Sequence, residues 1–284
     1  RYVADLAQRD RAYAREIGVF RAAVTDIAAT PEGLAILAQR RPGNLRQART
    51  LLLELIDRQN AAEQRVTQIR QAANLRTGAI IALDDRAKGE ATTEEVIALF
   101  AAVTRLDAGV HSDWVVLARL FRDGKRLSDA LRAAGQAVAT ADNEREHSTA
   151  LTELGRILLD HGDAAGARRR YEEALAIAQR LADADPGSAQ AQRDLSISLE
   201  DIGHLLIGQG DLTGARTRYE QSLAIARRLA ERDPTNTNLQ HDIATVMVGV
   251  GEVLAAQGDL AGARAYYEQS IAIMLRLSER DAAN

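Results

Sequence analysis

From residue 148 onward, apolar and polar positions follow a pattern that restarts every 48 residues. Each unit opens with apolar residues at helical spacing around a glycine. Leu154, Ile202 and Val250 precede Gly155, Gly203 and Gly251, and Leu158, Leu206 and Leu254 stand three residues later. Seven residues after that glycine comes a turn glycine, Gly162, Gly210 or Gly258, with Asp163, Asp211 or Asp259 next to it. A second apolar stripe then begins, running through Ala167 and Tyr171, Ala215 and Tyr219, or Ala263 and Tyr267. The pattern predicts helix A, a Gly-Asp turn, and helix B with the aspartate as its N-terminal cap. Asp185-Pro186 and Asp233-Pro234 end helix B, because proline cannot continue the hydrogen-bond ladder.

These units are internal repeats. Between the copies beginning at Gly210 and Gly258, 17 of the first 24 positions are identical, too many for shared composition to explain. Small residues on helix A and early helix B face large tyrosines, so the spacing assigns Tyr171, Tyr219 and Tyr267 to a packed core. Replacing Gly203 with a bulky residue is then expected to pry the helices apart.

Leu154-Gly155, Leu158, Ala167, Tyr171 and Ala174 fall at the spacing of the tetratricopeptide repeat, with Tyr for Phe and Leu for Tyr, so the chain resembles that family. The resemblance implies an all-α fold: an α-solenoid of stacked antiparallel helical hairpins forming a right-handed superhelix, its inner groove lined by the A helices. The period departs from the family's usual 34 residues, and the 14 extra are expected to lengthen both helices by about four turns in total. Upstream, the template weakens. Trp114, Leu117, Ala118 and Phe121, then Ala130, Ala134 and Ala137, fit a degenerate unit; Leu83, Val96, Phe100 and Val103 fit one starting near Thr77; and Gly43 with Ala48, Leu52 and Leu55 reads as an earlier hairpin. Residues 1–30 carry Tyr13, Ile17, Phe20, Val24 and Ile27 at heptad-like steps, read as one helix stopping before Pro31 and packing on the first repeat in preference to a self-associating coiled coil. The expected organisation is therefore an N-terminal helix at 1–30, irregular or degenerate hairpins at 31–147, and three regular repeats at 148–284.

Composition narrows the function. With 36 basic against 40 acidic residues, the net charge of -4 offers no general field for a phosphate backbone, which sets nucleic acid aside. Cysteine is absent, excluding disulfides and Cys-ligated zinc. No apolar run suits a membrane helix and the start lacks a signal-peptide core, so a cytoplasmic protein without membrane contact is expected. Opening on Arg1, the chain reads as part of a longer protein.

Enzyme signatures are missing, and no cofactor is expected. The five histidines have no ligand spacing, and Glu200 with His204, one turn apart, is ordinary helix-surface chemistry more than a metal pair. The run GVGEVLAAQG lacks the strand a dinucleotide loop needs, and the Arg168 to Arg170 cluster pairs with Glu172 and Glu173 at helical spacing. What remains is a binding surface. In the family's register the groove-facing positions are Thr152 and Arg156, Glu200 and His204, and Val248 and Glu252, a mixed set suited to a protein or peptide partner. The family's carboxylate clamp of Lys and Asn is not reproduced there, which argues against a chaperone-tail receptor.

The expected function is a non-catalytic interaction scaffold, the sensor or partner-binding segment of a larger bacterial protein. In resembling bacterial proteins such arrays are joined to TIR, caspase-like or nucleotide-switch effector domains. The alternative is a ligand-responsive domain regulating an enzymatic effector outside this chain, marked by a polar pocket near residues 110 to 150. A homodimer through the N-terminal helix or the C-terminal repeat is a further expectation, because a terminal repeat exposes an apolar face.

Overall fold

A computed structural model describes residues 45–282 of the 284. The expected helix at 1–30 and the first arm of the Gly43 hairpin lie outside the described residues. Ten helices and no strand make up the described chain: α1 (Leu45–Ala87), α2 (Thr93–Leu106), α3 (His111–Asp123), α4 (Leu127–Ala139), α5 (Glu144–Asp160), α6 (Ala164–Ala184), α7 (Ala189–Gly208), α8 (Leu212–Arg232), α9 (Thr237–Ala256) and α10 (Leu260–Ala282). The chain divides into two compact units, residues 1–74 and 75–284. Within the first, residues 45–74 belong to α1. The second is an all-α solenoid in which α3/α4, α5/α6, α7/α8 and α9/α10 form antiparallel hairpins, each packed on the next. Among the described residues no helix is long and apolar enough to cross a membrane.

Local chemistry explains the boundaries. Gly162, Gly210 and Gly258 turn the chain with φ of 88°, 80° and 87°, a region L side chains rarely adopt. The carboxylates of Asp163, Asp211 and Asp259 then accept the backbone N–H of Gly166, Gly214 and Gly262 at 2.8 to 2.9 Å, capping α6, α8 and α10. Helices α6 and α8 stop at Ala184 and Arg232, two residues before their prolines. Helices α7, α8 and α9 run 20, 21 and 20 residues, so the long period is spent on both helices of the hairpin.

The small-to-large packing is observed directly. A Cβ on Gly155 would stand 2.5 Å from the Tyr171 ring, one on Gly203 would stand 2.9 Å from Tyr219, and one on Gly251 would stand 2.5 Å from Tyr267. Gly249 presses on the other side of Tyr219, so that ring is clamped between α7 and α9. A buried serine also joins the two helices of each of the three regular hairpins. Ser148 donates to the Ala174 carbonyl at 3.1 Å, Ser196 to that of Ser222 at 3.2 Å, and Ser270 to that of Ala244 at 2.8 Å. In the last repeat the hydroxyl has moved from helix A to helix B and the bond survives.

Upstream the structure departs from the expected hairpins. Helix α1 continues unbroken for 43 residues, through the region where a turn between units was expected. Physically, residues 45–77 contain no glycine or proline, and Gly78 sits within the helix with open space around its Cα. Its end does pack as expected: Ala79 and Leu83 join Val96 and Phe100 of α2 and Leu117 of α3 in one apolar cluster.

Candidate binding face of the A helices

Helices α3, α5, α7 and α9 lie in succession, and their polar side chains meet across the gaps between them. An arginine on each helix reaches a carboxylate on the next. Arg119 Nε and an Arg122 terminal nitrogen donate to Glu153 at 2.9 and 2.6 Å. Arg156 grips Asp201 with two bonds of 2.9 and 3.0 Å, and Arg193 grips Asp242 in the same way. Arg145 adds a bond of 2.7 Å to Asp194. One step earlier, Arg76 of α1 holds Asp113 of α3 at 2.9 and 3.0 Å. Paired, fork-like guanidinium contacts of this kind fix geometry as well as charge.

These ties set the electrostatics. Burial works against the Arg156 charge, but Asp201 and Glu153 outweigh it and hold the guanidinium protonated. The hydrogen bond to Asp242 raises Arg193 likewise. Glu153 is fully buried and receives two arginines, which supplies the counter-charge an interior carboxylate needs.

Glu200 is placed differently. Burial pushes its carboxyl up to about 7; the charges of Asp201 and Asp242 add to this, while Arg156 and a bond from Ser222 oppose it. That bond, Ser222 Oγ to Glu200 Oε1 at 2.9 Å, exists because the middle repeat carries both hairpin serines. Ser196 already binds the Ser222 backbone, which leaves the Ser222 hydroxyl, 2.7 Å from that of Ser196, free to reach Glu200. No Lys, Arg or His among the described residues stands within ion-pair distance of Glu200 or Glu252. Burial first, then the charges of Glu252, Glu200 and Asp201, raise the pKa of the Tyr219 hydroxyl.

Each expected groove residue thus has a position. Glu200 is half-buried, and His204, Val248 and Glu252 are exposed on α7 and α9 around the Tyr219 clamp. Arg156 is spent on Asp201, and Thr152 is 8% exposed. Thr152 is thus buried on α5, while Arg156 keeps a third of its side chain exposed beside Asp201, next to Glu200. Sequence reasoning missed Glu153, Asp201, Arg193 and Asp242. A signal was present: Arg145 with Asp194 and Arg193 with Asp242 are both 49 apart, one more than the period, as residues tying equivalent helices of adjacent repeats would be. Among the described residues no group of three His, Cys, Asp or Glu side chains converges as a metal site would require.

The comparisons agree with the architecture. A tetratricopeptide repeat family model matches residues 194–276, and a second one matches residues 148–186. No curated protein matches the chain. Among solved structures, BtubC (BKLC) from P. vanneervenii is similar with a TM-score of 0.55 and 18% identity, over 76% of this chain and 92% of that one. A Podosopora anserina protein of nearly identical TPR-like repeats, in a variant form, gives a TM-score of 0.50 and 19% identity, over 73% and 98%. The Cut9 and Hcn1 hetero-tetramer of the APC/C gives 0.53 and 14% identity, over 69% of this chain and 32% of that one. At such identities the likeness speaks for the fold. Repeat signature, hairpin geometry and family match coincide, and over residues 148–186 and 194–276 the chain carries tetratricopeptide repeats.

Proposed function

We propose that this scaffold binds an extended, basic segment of a partner protein along the A-helix face, with Glu200, His204, Val248 and Glu252 as its central contacts. Tetratricopeptide repeats are generally non-catalytic scaffolds that bind protein or peptide partners. The observation that carries the finer reading is the distribution of charge. The arginines of the inner helices are committed to Glu153, Asp194, Asp201 and Asp242, so the uncommitted charge around Tyr219 is that of Glu200 and Glu252. A lysine or arginine laid between them supplies the missing cation, and Val248 offers an apolar contact beside it. Thr152 and Arg156 serve the face by shaping it. In this reading the chain is the partner-binding segment of a larger bacterial protein and carries out no chemistry itself.

The test is fluorescence anisotropy with an extended peptide of alternating Lys and Ala, against the same peptide with Glu for Lys. The Lys peptide is expected to bind, about tenfold more weakly to Glu200→Gln or Glu252→Gln, and more weakly in high salt. Equal binding of the acidic peptide would reject the reading.

A second reading is supported by a cavity of about 590 Å³ between the N-terminal ends of α3 and α5, lined by His111, Ser112, Arg119, Asn143, Arg145 and Thr149. It falls where a ligand-responsive regulatory domain was expected to have its pocket. A small anion held there would raise the thermal midpoint, and Thr149→Trp, which fills the space, would remove that shift.

A further inference from the structure

The three B helices of the regular repeats carry equivalent faces with different neighbours. On α8, Leu223 and Ala226 are 4% and 2% exposed because α9 packs over them. The positions 48 residues later on α10 are Ile271 and Met274, and these are 57% and 41% exposed. Were this merely the face of a repeat awaiting another hairpin, its residues would copy α6 and α8. They do not. Met274 stands where the internal repeats have Ala178 and Ala226, and Leu275, 59% exposed, stands where they have the exposed Gln179 and Arg227. A larger side chain at the alanine position closes the slot that an incoming A helix uses. An added leucine at the rim widens the apolar stripe. Both changes suit a flat helix-on-helix contact instead of a further hairpin.

From this face we infer that α10 is the interface through which two copies of this chain pair, antiparallel, about a two-fold axis near Ile271. Charge selects the second copy as occupant. On a helical wheel Arg264, Glu268, Leu275 and Glu279 lie along one flank of the stripe. A two-fold axis brings that flank against itself, reversed. Reversal about the midpoint between residues 271 and 272 sets Arg264 opposite Glu279 of the other copy and Glu268 opposite Leu275, and brings each Ile271 within about one residue of its own copy. Arg264 is exposed and held only by Glu268 within its own helix, so it is available to bridge. A two-fold parallel to the helices would instead set this flank beside the opposite flank of the other copy, where Ala263 and Ser270 offer Arg264 no carboxylate. The contact lies on helix B of the last repeat, away from Glu200 and Glu252, and its failure would leave the peptide-binding reading intact.

The chain has no cysteine, which gives a direct test. Facing Cα atoms of packed helices, with axes about 8–10 Å apart, come within disulfide reach near the axis. Ile271→Cys should therefore oxidise to a covalent dimer. Ser278→Cys, seven residues from the axis, puts the two thiols on the order of 20 Å apart and should remain free. Sedimentation equilibrium on the full chain should find a dimer. Ile271→Glu with Met274→Glu should return it to monomer with an unchanged thermal midpoint, both positions being exposed. Arg264→Glu should weaken association at least tenfold, and adding Glu279→Arg should restore it. A monomer at every concentration overturns the inference, including the case in which another segment of a longer parent chain covers α10. A dimer that survives the double glutamate variant, or a position-278 disulfide as rapid as that at 271, overturns it too.

Discussion

Hairpin α3/α4 and hairpin α7/α8 do the same job with different chemistry. In the later hairpin the turn is made by Gly210 at φ 80° and the next helix is capped by Asp211. In the earlier one the glycine comes one position too soon: Gly124 has φ −76°, Lys125 takes the left-handed conformation at φ 57°, and Arg126 at the cap makes no side-chain bond to the helix start. Helix α4 is 13 residues long where α8 has 21. Yet Arg119 and Arg122 of α3 tie to Glu153 much as Arg156 of α5 ties to Asp201. The repeat signature records how a hairpin is closed. Contact between successive A helices is maintained separately, and it persists where the signature has faded.

This contrast can be broken at several points. The largest effect is expected from Arg156→Met, which strands Asp201 among buried groups and should cost about 3 kcal/mol in urea unfolding. Burial already raises Asp201 against the pull of Arg156, so without that partner the loss should shrink as pH falls and the carboxyl protonates. Next, Gly203→Ala should destabilise by about 1–3 kcal/mol, since its Cβ meets a ring clamped on both sides. Gly135→Ala in α4, where the new Cβ meets open space, should instead stabilise by about 0.5–1 kcal/mol. Thermal melts of both would show whether glycines serve packing only in the regular repeats.

Glu200 gives a pH signature. Its folded pKa of about 7 lies above the ordinary 4.5, so its neutral form stabilises the fold fully at low pH. That contribution, about 2–3 kcal/mol, is lost as pH rises from about 4.5 through 7. Glu200→Gln should flatten the loss and be the more stable protein at pH 8. Ser222→Ala removes a bond to the charged form and should move the pKa higher still. Lys125→Gly should bring a gain as small as that of Gly135→Ala, about 0.5–1 kcal/mol, from relieving a left-handed residue.

Much of the fold was legible because its rules are local. A turn glycine, a capping aspartate and a terminating proline act within a few residues, and Gly203 facing Tyr219 needs only helical spacing. Of the inter-helix ties only the two 49-residue spacings left a trace in the sequence, since the other partners lie 31 to 45 residues apart and change register along the chain. The column that holds Glu153 and Asp201 ends in Gly249, where a clamp on Tyr219 takes over, so the period hides it. Arg156 drew attention as a charged residue on the right face, but only the structure reveals that its charge is spent. Helix α1 was missed for the opposite reason. Weak apolar matches suggested units, while the absence of any breaker over residues 45–77 let one helix run on.

The most direct measurement is the Glu200 pKa, read by carboxyl ¹³C NMR with Glu200→Gln to assign the signal, with and without the alternating Lys-Ala peptide. A value near 7 in the free chain that falls on adding peptide is the predicted result, and binding should then strengthen as pH rises through 7. A Glu200 that titrates near 4.5 and does not respond to the peptide would contradict the account.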